Sequence, residues 1–92
     1  MDELVRYAMN TLSGLPHIEV EYSSLSGELR IWRHNHLFTH VGQVDGLFYT
    51  NTNGHGRTYN RTLESVKRTI RAFAAEVKES EAYKQKVLNG GQ

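Results

Sequence analysis

Three histidines fall within seven residues, His34, His36 and His40, and spacings of two and six put them on one strand face if the segment stays extended. Imidazole suits zinc, copper or nickel, and three such ligands make an open site. Asn35, however, tolerates positive φ, and His34-Asn35-His36 reads as a tight turn that separates the first ligand from the second. The same tripeptide spells the name of the HNH nucleases. That name refers to residues spread over a ββα metal site, and three neighbours in a turn do not build one. Nothing else resembles a nucleophile elbow, a paired-carboxylate arrangement or a phosphate loop; Gly54-His55-Gly56 is too short for a phosphate cradle. The expectation is a protein with no catalytic residues, no metal, no cofactor and no small-molecule substrate.

The basic residues carry the stronger signal. Residues 1–28 hold Asp2, Glu3, Glu19, Glu21 and Glu28 against Arg6, a net of −4. Residues 29–75 hold Arg30, Arg33, Arg57, Arg61, Lys67, Arg68 and Arg71 against Asp45 and Glu64, a net of +5. This segregation predicts one acidic and one basic surface, the latter built of arginines suited to bidentate phosphate and carboxylate contacts. Arg57 and Arg61 flank the start of a long helix, where the dipole already favours anions, and Lys67, Arg68 and Arg71 follow on its flank. Asn51, Asn53, His55 and Tyr59 add hydrogen bonds and stacking surface. Trp32 alternates with Ile31 and therefore joins Arg30 on the other side of its strand. Arg30, Trp32, Arg33, Arg57, Arg61, Lys67, Arg68 and Arg71 form the candidate partner- or RNA-binding set.

The elements that must position them follow from periodicity. Leu63, Val66, Ile70, Phe73, Ala74 and Val77 mark one apolar stripe, which predicts a helix over residues 60–79 capped by Asn60 or Thr58. Ser80 is expected to kink or restart it, with Tyr83, Val87 and Leu88 as its apolar contacts. Leu4, Val5, Ala8, Met9 and Leu12 predict a first helix, capped by Asp2 and ended at Gly14 and Pro16. Between the helices, Ile18, Val20 and Tyr22 alternate with charged neighbours, Leu29 and Ile31 do the same, and Leu37–Val41 and Leu47–Thr50 read as further strands. Residues 42–46 are expected to form a loop with Asp45-Gly46 as a hairpin signal, and residues 51–56 a mobile polar loop. The fold class is α+β: an N-terminal helix, an antiparallel meander of three or four strands, and a long C-terminal helix packed on one sheet face. Residues 1–88 form the single domain and residues 89–92 a flexible tail. No cysteine is present and no apolar run reaches the roughly 18 residues of a membrane span, so a cytoplasmic location is expected.

The helix, strands, helix order resembles the double-stranded RNA-binding domain, although residues 23–27, Ser-Ser-Leu-Ser-Gly, lack that family's Gly-Pro loop, and residues 60–68 lack its lysine-rich helix start. From Ile31-Trp32-Arg33-His34-Asn35-His36 through Tyr59-Asn60-Arg61-Thr62, the whole chain is similar to the small phage anti-CRISPR proteins directed at the type I-F surveillance complex. That likeness implies a stoichiometric inhibitor acting in the bacterial host. It would lodge on backbone subunits and guide RNA and obstruct target-DNA pairing. The alternative function is a small RNA- or DNA-binding regulator.

Overall fold

The computed structural model describes residues 1–52 and 56–90, the side chains of residues 89 and 90 excepted. The order is α1 (Asp2–Leu12), β1 (Ile18–Ser23), β2 (Glu28–Arg33), β3 (His36–Val44), β4 (Leu47–Thr52), β5 (Gly56–Asn60) and α2 (Leu63–Gly90). The strands form one antiparallel sheet in chain order, β1-β2-β3-β4-β5. The α+β architecture holds, with five strands where the sequence predicts three or four.

Two-residue hairpins set the registers. His34 and Asn35 have φ of 51° and 66°, Asp45 and Gly46 of 50° and 79°. Positive φ at both central positions matches the right-handed twist of the flanking strands. The loop expected over residues 42–46 therefore shrinks to Asp45-Gly46, and β3 runs on to Val44. The fifth strand takes Gly56–Asn60 from the expected loop and helix start. It escapes sequence reading because Gly56–Tyr59 are all exposed, so no apolar alternation marks it. Asn53 to His55, in the same expected loop, lie outside the described residues.

Both helices pack on one sheet face. Leu4, Ala8 and Leu12 of α1 and Val66, Ile70, Phe73, Ala74 and Val77 of α2 close over Leu29, Ile31 and Val41. Phe73 stacks on Phe38 with centroids 4.2 Å apart. Phe38 reaches that face through a β-bulge: Ile31 pairs with Thr39 but Trp32 with Leu37, which leaves Phe38 unpaired and turned inward with Thr39.

The helix ends differ from the expected ones. Thr62 caps α2, its Oγ1 accepting the Ser65 N–H at 3.2 Å, while Asn60 belongs to β5 and accepts from Ser65 Oγ at 2.7 Å. Asp2 lies inside α1, whose N-cap is Met1 with no side-chain cap. α2 runs through Ser80 uninterrupted, rather than restarting there, and is 28 residues long in all, roughly 42 Å. Tyr83, Val87 and Leu88 are exposed rather than packed, because α2 overruns the sheet. Asn89 and Gly90, expected in the tail, continue the helical backbone. No helix among the described residues is long and apolar enough to cross a membrane.

Candidate functional site

Among the described residues no other element covers the sheet face opposite the helices, and the registers give its contents. Residues paired across antiparallel strands share a face. One row therefore reads Glu21, Arg30, His40, Asn51, Arg57 across all five strands, and the next places Tyr49 between Gly42 and Tyr59. Glu19, Trp32 and Leu37 lie toward the β2–β3 turn.

Tyr49 organises this face. Although it points away from the helices it is 8% exposed, because its ring lies flat over Gly42. A Cβ at position 42 would collide with the phenol oxygen and sit 2.5–2.6 Å from ring carbons, so only glycine admits the ring. The phenol donates to Glu28 Oε2 at 3.2 Å, and the Arg57 guanidinium covers the ring at 4.2 Å from its centroid. Burial, then the adjacent Glu28, push the Tyr49 pKa above its ordinary value, so the phenol is a donor at neutral pH. His40 Nε2 stands 3.5 Å from the same Glu28 oxygen, and its ring meets Tyr49 edge-on at 6.1 Å. Glu28 Oε1 accepts from Arg30 Nη2 at 3.3 Å, and Arg30 Nη1 lies 3.6 Å from Glu21. The result is a chain of hydrogen bonds, ion pairs and ring contacts from β1 to β5, each member holding the next in orientation.

The eight candidate binding residues meet different fates. Arg30, Trp32 and Arg57 share the open face, where Arg30 is half-buried and occupied by two carboxylates and Trp32 is half-buried opposite Leu37. Arg33 pairs with Ile18 and His36, on the other side of the sheet. Lys67 and Arg71 fasten α2 to α1: Lys67 Nζ is 3.1 Å from Glu3 and 5.1 Å from the Tyr7 ring centroid, and Arg71 donates to Tyr7 Oη at 3.0 Å and Glu64 at 2.8 Å. The Glu64 hydrogen bond, then Tyr7, raises the Arg71 pKa, and Arg71 lowers that of Glu64. Arg61 and Arg68 are exposed with no acidic partner among the described residues. The expected segregation into an acidic and a basic surface is therefore incomplete: Glu3, Glu21, Glu28 and Glu64 neutralise Lys67, Arg30 and Arg71. Of the eight candidates, Arg33, Arg57, Arg61 and Arg68 keep no acidic partner in the ion pairs of the described residues, Arg57 instead lying over the Tyr49 ring.

The histidines do not converge. His34 sits in the turn and stacks on His17 at 4.6 Å, and the bulge at Phe38 sends His36 and His40 to opposite faces. Among the described residues no group of three His, Cys, Asp or Glu is placed to hold a metal ion. Sequence reasoning missed Tyr49, Glu28 and Gly42. Alternation through Leu47–Thr52 does set Tyr49 apart from Phe48 and Thr50, but nothing local shows that it lies over a glycine of the neighbouring strand. No protein family, no curated protein and no solved structure matches this chain.

Proposed function

We propose that the chain is a phage-encoded anti-CRISPR inhibitor that binds the type I-F crRNA-guided surveillance complex and blocks target-DNA recognition without catalysis. The observation that supports this reading is a sheet face with no described element over it, its side chains tied to one another around Tyr49 and bordered by Arg57. A face held by its own hydrogen bonds loses little side-chain entropy when it docks, which favours tight stoichiometric binding. Arg61, exposed just after β5, and Arg68, exposed on α2, supply cations for acidic subunit surface or guide-RNA phosphates. The proposed location is the cytoplasm of the infected bacterium, and the proposed partners are the backbone subunits together with the guide.

The test is target-DNA binding by the purified surveillance complex with and without the chain. One-to-few stoichiometric loss of DNA binding is expected, with little affinity for naked RNA. Tight binding to naked RNA with a steep salt dependence, and no effect on the complex, would instead identify the nucleic-acid regulator.

A further inference from the structure

The two edges of the sheet are chemically unlike. β1 carries Glu19 and Glu21 on the open face, whereas β5 carries Arg57 and Tyr59. Among the described residues, Gly56 to Tyr59 of β5 are also exposed. Thr58 shares a helix-side row with Leu29, Val41 and Thr50, all buried, yet Thr58 itself is exposed, as are Gly56, Arg57 and Tyr59. α2 meets the strand at one end, through the Ser65–Asn60 hydrogen bond. Natural edge strands are blunted by proline, lysine, bulges or a covering element, because an open edge templates pairing with another chain. Gly56-Arg57-Thr58-Tyr59-Asn60 contains no proline or lysine, its register with β4 is unbroken, and no described element lies along its free side.

We propose that β5 is a docking edge on which an extended acidic segment of a partner protein adds as a sixth strand. Main-chain hydrogen bonds to the open edge supply the affinity, and side chains alternating on the open face supply the choice of partner. Arg57 is held in place by the Tyr49 ring, so it presents its charge at a defined position, and Arg61 adds a second cation just beyond the strand. The incoming segment therefore carries a carboxylate opposite Arg57 and, two residues away on the same face, an apolar side chain beside the 54% exposed Tyr59. Two copies of this chain joined β5 to β5 would bring Arg57 and Arg61 of both into one cluster. Pairing of β5 with β1 of another copy joins unlike surfaces and does not close. Charge and symmetry both favour a foreign acidic strand. This inference rests on the proposed inhibitor only for the partner's identity.

The full chain, 15N-labelled, is titrated with the peptide Thr-Glu-Thr-Val-Thr, with a lysine-for-glutamate version, and with the acidic peptide N-methylated at alternate residues. The acidic peptide is expected to shift amide resonances of Gly56–Asn60 and β4 and to slow hydrogen exchange along β5. The lysine and N-methylated peptides are expected to bind about tenfold more weakly or not at all. The Arg57→Glu/Arg61→Glu variant, checked for folding by circular dichroism, is expected to prefer the lysine peptide. Equal binding of acidic and lysine peptides, shifts centred away from β5, or no binding at millimolar concentration overturns the proposal. So does self-association of the protein that Glu19→Lys/Glu21→Lys abolishes, which would give the edge to a second copy. A chain that inhibits the surveillance complex but binds no peptide loses only the strand addition; one that binds the peptide but leaves the complex active loses only the inhibitor reading.

Discussion

The two faces of the sheet are held by different physics. On the inner face, Leu29, Ile31 and Val41 disappear beneath two helices, and order comes from removing apolar area from water. On the outer face no helix helps, and one aromatic ring is nonetheless almost fully buried, by a glycine below, an arginine above and a carboxylate at its edge. The inner face tolerates any side chains of similar volume and shape; the outer one depends on four particular residues in register. A surface ordered that way has its central side chains tied to one another without being covered by a described element, as the proposed recognition role requires.

Truncation on the inner face should have the largest effect. Phe73 is 4% exposed and stacks on Phe38, so Phe73→Ala is expected to cost about 3–5 kcal/mol in chemical denaturation. A melt indistinguishable from the parent would show that the Phe38–Phe73 stack is not part of the core.

The outer face is next. Gly42→Ala drives a methyl group into the Tyr49 ring, whose displacement uncovers Glu28, and overpacking of this kind costs about 1–3 kcal/mol. Loss of the ring from the glycine should also return the phenol toward its ordinary pKa, read by ultraviolet difference titration. A smaller loss, about 1 kcal/mol, is expected for Tyr49→Phe, which keeps the ring and removes the donor to Glu28. The raised Tyr49 pKa has a defined pH signature. The unfolded chain ionises near the ordinary value of 10.0 while the folded one keeps its proton, so this stabilisation is complete below that pH and lost as pH rises through the folded value. Tyr49→Phe should flatten that alkaline limb.

Charge reversal separates scaffold cations from free ones. Arg61→Glu/Arg68→Glu is expected to change stability by less than about 0.5 kcal/mol and, under the proposed function, to abolish inhibition of the surveillance complex. Arg71→Glu gives no clean comparison, because it also loses Tyr7 and faces Glu64. Glu19→Lys/Glu21→Lys, on the opposite edge, should leave inhibition largely intact. If this acidic-edge pair abolished inhibition while Arg61→Glu/Arg68→Glu retained it, the working surface would lie at β1.

The smallest effect concerns a turn. Desolvation, then the stacked His17, then Lys84 and Arg33 lower the His34 pKa below 6.5, with Glu81 opposing. The fold prefers the neutral ring, so this contribution fades as pH falls through 6.5 toward the folded value. An NMR titration with His34 and the other described histidines resolved should place His34 below the ordinary value, and His17→Ala should move it back up.

What could be read from the sequence was local. The 63–77 stripe, the alternation over residues 18–22 and the turns at His34-Asn35 and Asp45-Gly46 are properties of neighbouring residues and of backbone preference, and each reappears in the fold. The chemistry of the surface was not local. Lys67 and Arg68 are adjacent, yet one is tied to Glu3, 64 residues away, and the other is exposed without an acidic partner. Only the packing of α1 along α2 distinguishes them, because an ion pair depends on distance in space and periodicity reports only which side of a helix a residue occupies. Tyr49 likewise needs Gly42 from one neighbouring strand, Arg57 from the other and Glu28 from β2, a meeting set by the register of four strands. The sequence by itself determined the two helices, the first strands and the apolar face of each, wherever apolar periodicity marks them; β5, with no such marking, it did not. Tertiary structure decided which charges remain unpaired and which aromatic ring organises the open face, since both depend on contacts between segments whose residue types alone carry no record of one another.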